Sequence, residues 1–382
     1  MTSRVYTVCG EVGANSTRGD CMKLLRFLTL ALLGCMPALS WAQQAPASPS
    51  APAGPALKPR IETTLPESEG RIKLDVVVTD KSGKPFTGLE LKDFTLLDNG
   101  QPSRILSFRA SGAAHQADPP AEVILLIDAL NIEHQAITVV RQQLANFLRR
   151  NGGRLALPVS LYVLTDQGLF GQLRPTVDGN ALAAEVSQIN TGMGIIYRTR
   201  GNWGEIGLFK FSASQLMTIA NNQEKKPGRK LLIWIGPGWP WFDTRQSPTT
   251  ANQQRQYFDS IVQFSTRLRE ARIAVYSIAP GPPDSSMLLY EDFLKGAKTA
   301  GEANTAALNL WVLAVQSGGR VLGPDNEMAA QIERCFQDAT AFYTLSFNPP
   351  LAAGPDEYHD LKVQIDRPKL TARTSTGYYN QP

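Results

Sequence analysis

Three imidazoles head the inventory of acid–base groups: His115, His134 and His359. They stand in different segments, without the His-Glu-x-x-His spacing that sets two imidazoles and a base on one helix face. All three read as surface or capping residues. Of four cysteines, Cys9, Cys21 and Cys35 precede the structured part of the chain. Cys335 is left alone in an apolar helical pattern, where a thiol is a small core residue and no histidine is placed to activate it. Neither a Gly-x-Ser-x-Gly elbow, a phosphate loop nor a Gly-x-Gly-x-x-Gly fingerprint occurs, and Asp356-Glu357 falls in a solvated turn. The residue types that remain suit recognition. Gly236-Pro237-Gly238-Trp239-Pro240-Trp241 runs on into Phe242, and Trp203 stands in a separate loop. Indoles on Gly/Pro-rich loops offer large contact area at little side-chain entropy, the composition of interface anchors. The competing reading folds these rings back under their own loops as satellite core.

The N-terminal segment gives the chain an address. From Met22 a basic start, MKLLR, leads into an apolar run from Phe27 to Leu33 and a small-x-small close at Ser40-Trp41-Ala42. This is the layout of a secretory signal, and the run is shorter than the roughly 18 residues that cross a bilayer. Residues 1–42 are therefore assigned to a signal peptide with an upstream extension, and the protein to the periplasm or the extracellular space. Leu32-Leu33-Gly34-Cys35 resembles a lipobox, so a lipoprotein anchored at Cys35 is the alternative and the only membrane attachment expected. With one cysteine beyond the signal no internal disulfide forms, and stability rests on core burial. The formal charge is +4. Arg4, Arg18, Lys23 and Arg26 against Glu11 and Asp20 account for half of it. No dense basic run remains to hold nucleic acid.

Behind these residues the chain is organised in blocks. Residues 43–69, rich in Pro, Ala and Ser, form a tether. Residues 70–110 are β-rich: Ile72, Leu74, Val76 and Val78 alternate with more polar neighbours, and Asn99-Gly100 is a hairpin corner. Residues 120–339 cycle between buried strands (Val123–Ile127, Val159–Leu164, Lys230–Ile235, Ile273–Ile278, Arg320–Leu322) and helices over 134–150, 205–221, 251–271, 302–316 and 326–339. An edge hairpin is expected over Gly168–Val177. That alternation specifies a mostly parallel sheet with helices on both faces. Residues 340–382 return to β character. Each β part is too small to stand alone, so the α/β region is expected to be inserted in one small antiparallel β-sandwich made from both ends, with two separate β appendages as the competing reading. In such sheets ligands bind beyond the carboxyl ends of the strands. That places Asn131, Thr165, Asp166, Trp239, Trp241 and Phe242 on one rim, with Trp203 beside it.

The segments VVVTDKSGKPFTGLELKDFTLLDNGQPSRILSF, VILLIDALN and YHDLKVQIDRPKLTARTSTGYY resemble the von Willebrand factor A (VWFA)-related domain proteins of Acidobacteria. The resemblance covers about 70–380. It implies a von Willebrand A-type fold of metal-adhesion lineage, with no defined substrate. In that lineage a divalent cation, usually Mg²⁺, sits on an Asp-x-Ser-x-Ser motif, a Thr from a later loop and an Asp after the fourth strand. Asp128 holds the first position here, but Leu130 and Ile132 replace both serines, and no Asp follows closely after Ile235. Thr191 is the candidate loop threonine. Asn131 and Glu133 with Asp128 would build a different oxygen shell for Mg²⁺; the other reading has Asp128 capping backbone N–H groups or pairing with a polar neighbour. No cofactor is required on the reading adopted. The expected function is non-enzymatic binding of a protein or cell-envelope ligand by the loop rim of a domain with a degenerate metal-ion-dependent adhesion site. A structural or assembly role in an envelope complex is the principal alternative, and a hydrolase with an unrecognised site comes third.

Overall fold

The computed structural model describes residues 70–112, 119–171, 174–189, 204–239, 250–280, 289–323 and 327–382, without the side chains of His134 and Glu205. The assignments to residues 1–69 lie outside these.

Continuous apolar runs form the central sheet. β5 (Glu122–Asp128), β6 (Arg154–Thr165), β9 (Lys230–Ile235), β10 (Ile273–Ile278) and β11 (Arg320–Leu322) run parallel, in the order β11-β10-β9-β5-β6. Every residue of β9 and β10 is buried, as expected for strands covered on both faces. β7 (Gly168–Gly171) and β8 (Thr176–Asp178) each pair antiparallel with the outer edge of β6. Among the described residues they are not paired with each other, so the expected hairpin gives way to two short strands on one long neighbour. Helices α1 (His134–Leu148), α2 (Gly179–Gln188) and α6 (Met328–Thr340) cover one face, and α3 (Glu205–Glu224), α4 (Ala251–Glu270) and α5 (Leu310–Gln316) the other. Among the described residues no helix is long and apolar enough to cross a membrane.

Two helical expectations change. The segment expected as one helix over 302–316 holds α5 only from Leu310. Asn304 and Asn309 each accept a hydrogen bond from the backbone N–H two residues on, at 2.8 Å, and each such local turn restarts the chain. α2 escapes the periodicity reading; it starts on Asp178, whose carboxylate accepts from Ala181 N at 3.0 Å as an N-cap. Cys335 is buried in α6 beside Ile332 and Phe336.

The two chain ends interleave in two four-stranded antiparallel sheets. One has the order β14 (Thr371–Arg373), β1 (Ile72–Thr79), β12 (Phe342–Phe347), β4 (Ser107–Ser111); the other β15 (Gly377–Asn380), β13 (Glu357–Ile365), β2 (Phe94–Asp98), β3 (Gln101–Ser103). Asn99 and Gly100, with φ of 48° and 78°, turn β2 into β3, the positive-φ pair that a two-residue hairpin requires. Leu74, Val76, Leu96, Leu345, Phe347 and Val363 meet between the sheets. The α/β layer is thus inserted in a small β-sandwich.

The sandwich is bonded to the layer at several points. Val77 joins the core beneath α1 and α6. Arg272 grips Asp75 through Nε and Nη2 at 3.1 and 2.5 Å. Tyr379 donates to the Ala297 carbonyl at 2.9 Å.

Candidate functional site

Connections from β5 leave on one side of the sheet and those from β9 on the other, so the strand order reverses between them. In open α/β sheets that reversal makes a crevice at the carboxyl ends of the strands. Asp128 ends β5, and Gly236 follows β9. A Cβ on Gly236 would lie 2.6 Å from the Asp128 Cβ, so only glycine lets the two chain ends close on each other.

Asp128 has no solvent exposure. Its Oδ1 accepts from the backbone N and Nδ2 of Asn131, both at 3.0 Å. Its Oδ2 accepts from Asn131 Nδ2 at 3.0 Å and from the indole Nε1 of Trp234 at 2.9 Å. Asn131 Nδ2 reaches on to Ser212 Oγ on α3 at 3.1 Å. Burial pushes the Asp128 carboxyl up to about 6, opposed by the hydrogen bonds from Asn131 and Trp234.

A hard cation needs oxygen lone pairs in an open shell. Here N–H donors face both carboxylate oxygens, and Asn131 turns its amide nitrogen, not its carbonyl, toward Asp128. Leu130 and Ile132, at the positions of the two serines, are buried in the cores on opposite faces of the sheet. Glu133 is exposed at the start of α1, and Thr191 lies outside the described residues. The described residues do not fit the implied Mg²⁺. Among them no group of three His, Cys, Asp or Glu side chains is placed to hold a metal ion.

The rim residues divide. Trp239 is 3% exposed; its Nε1 donates to the Leu308 carbonyl at 3.0 Å, and its ring meets Trp234 edge to face at 5.5 Å. It is core, not an exposed anchor: the 3-10 turn at Thr305–Leu308 supplies the acceptor that draws the indole inward. Thr165 is buried, its hydroxyl accepting from Gln167 N at 3.1 Å and donating to Gly168 O at 3.3 Å. Asp166 is half-buried, with Oδ1 sealed and unpartnered. Trp203, Trp241 and Phe242 lie outside the described residues, as does His115. His359 is buried, not a surface or capping residue: Nδ1 lies 2.6 Å from Asp98 Oδ1, and the ring stacks on Tyr378.

Trp234 and Ser212 complete the network around Asp128, and sequence reasoning passed over both. Trp234 belongs to an apolar run and signals only a buried strand; Ser212 is one hydroxyl on a helix. The signal that could have found Trp234 is the indole itself, a polar N–H that needs an acceptor when buried.

The mostly parallel sheet, its two short antiparallel edge strands and its two helical layers have the architecture of a von Willebrand A-like α/β fold. No family model matches the sequence, and no curated relative matches it. Solved structures similar to it include the human COPII-coat protein Sec24c, at 11% identity and TM-score 0.34 over 69% of this chain and 44% of that one. The SpRpn10 VWA domain is similar at 12% identity and TM-score 0.28, over 56% of this chain and 95% of that one. The open conformation of the pilus adhesin SpaC from Lactobacillus rhamnosus GG is similar at 9% identity and TM-score 0.34, over 79% and 47%. The chain spans less than half the length of the coat protein and of the adhesin.

Proposed function

We propose that the chain is an exported, non-enzymatic recognition module related to the VWFA-type proteins of Acidobacteria, binding a protein or cell-envelope ligand on the loop rim without a metal ion. The observation that carries this reading is the saturation of Asp128. The position a cation would need is filled by N–H donors from Asn131 and Trp234. With Trp239 committed to the core, the anchors that remain are Trp241, Phe242 and Trp203. Catalysis finds little support: the Asp98–His359 pair is closed inside the sandwich, and the Cys335 thiol is held well above its ordinary range by burial.

The test starts with capture of a partner from envelope extracts, with and without EDTA. Its affinity for Trp241→Ala and Asp128→Ala chains is then compared. The expected outcome is indifference to EDTA and a loss of about 2 kcal/mol, roughly thirtyfold, for Trp241→Ala. Stoichiometric Mg²⁺, Mn²⁺ or Ca²⁺ binding in a calorimetric titration, lost in Asp128→Ala, would overturn the metal-free reading.

A further inference from the structure

At the amino ends of the strands, the opposite end of the sheet from Asp128, a cavity of about 290 Å³ opens between the last turn of α1, the start of β6 and α6. That is room for roughly ten water volumes. Its lining is of two kinds. Phe147, Leu155 and Phe336 are buried and apolar, the two rings edge to face at 5.4 Å. Arg150, Arg154 and Glu333 line it too, and each of these residues is exposed.

The charges are unequal. Two arginines meet a single acid in the lining, and Arg149 and Arg334, also exposed, stand one residue away along the chain. Among the described residues none of these five is in an ion pair. The Arg150 guanidinium lies over the Phe147 ring, 5.9 Å from its centroid, so a cation is stationed at the edge of the apolar floor. An apolar floor gives water few hydrogen bonds, and releasing that water favours an apolar occupant. A surplus of cationic groups beside a low-dielectric wall draws an anion. Two guanidiniums against one carboxylate match a single negative charge. A phosphate dianion would face Glu333 and would also lose its water against the rings.

We propose that this cavity binds a small monocarboxylate with an apolar body, an aryl- or alkylcarboxylate of about ten non-hydrogen atoms. The body rests on Phe147, Leu155 and Phe336, and the carboxylate accepts from Arg150. The site stands at the other end of the strands from the loop rim, so its success or failure is independent of the ligand proposed there.

Isothermal titration of the purified chain with hydrocinnamate should give a dissociation constant of about 1 mM or below, the range open to so few atoms. Hydrocinnamamide, the same body uncharged, and acetate, the charge without the body, should each bind at least about tenfold more weakly. Arg150→Gln and Glu333→Gln alter exposed side chains and leave the core alone. The first should weaken hydrocinnamate about tenfold without changing the amide; the second should tighten it severalfold. In a crystal soaked with para-bromohydrocinnamate, the anomalous bromine peak should lie against Phe147 and Phe336. No binding at about 10 mM, equal affinity for acid and amide, an acid that Arg150→Gln does not weaken, or bromine only at another place would each overturn the site. A bromine peak in the cavity with no binding in solution would mean binding at crystal concentration only, and would overturn it as well.

Discussion

Asp128 ionises in a place that water does not reach, and the cost shows in its acidity. Its carboxyl is pushed from an ordinary 3.8 up to about 6. A folded-state value above the unfolded one means the native chain holds the proton longer, so stability falls as pH rises from about 4 to about 6 and is level above. The size of that fall is roughly 3 kcal/mol. Asp128→Asn has no such window. Its stability relative to the parent should therefore improve by about that amount between pH 4 and pH 7 in urea unfolding, whatever constant offset the lost acceptor adds. A constant difference across that range would show that Asp128 does not titrate as its burial dictates. Asp128 itself was legible in the sequence, as an acid closing an apolar strand. Its partners were not: Trp234 meets it only through the register of β5 against β9, which no local pattern encodes. Trp239 was legible as an aromatic on a Gly/Pro loop, but its burial depends on the Leu308 carbonyl, about seventy residues away.

At the scale of elements, strands and long helices were readable because their apolar periods are strong. α2 and the start of α5 were not, because single Asp and Asn side chains set them. A further device sits between elements. Lys230 in β9 is 2% exposed, and its Nζ donates to the carbonyls of Gln223 at 3.0 Å, Ala271 at 3.1 Å and Lys226. These carbonyls belong to the C-terminal ends of α3 and α4, the negative ends of the two helix dipoles. One ammonium thus finishes two helices on the same face of the sheet. Lys230→Met keeps the stem and removes the ammonium that the carbonyls of Gln223, Lys226 and Ala271 share, Gln223 O keeping its backbone donors from Lys225 and Lys226, a loss of about 2 kcal/mol. The check is the urea midpoint together with hydrogen exchange, which should quicken first in the last turns of α3 and α4. Unchanged exchange there would mean the ammonium is not what closes these helices.

For the whole molecule the decisive feature is that neither chain end forms a sheet by itself. β1 pairs with β12 and β14, and β2 pairs with β13, so the α/β layer is enclosed between strands that need each other. The seam is ionic as well as apolar. Asp338 in α6, 1% exposed, joins Arg320 of β11 to Arg373 of β14 and accepts from Tyr276 OH at 3.1 Å. Arg373 belongs to the sandwich, Tyr276 to the central sheet and Asp338 to its helical cover, so one carboxylate holds three layers. Removing one member of a buried ion cluster leaves the other charges uncompensated, typically a loss of 3–5 kcal/mol. Asp338→Asn, nearly unchanged in shape, should lower stability by about 3 kcal/mol. Because the layers share this residue, calorimetry should show one transition moved to lower temperature, with calorimetric and van't Hoff enthalpies still equal. Two resolved transitions in the variant, one for the sandwich and one for the α/β layer, would show that the ends fold as a separate body and that the seam only rests against it.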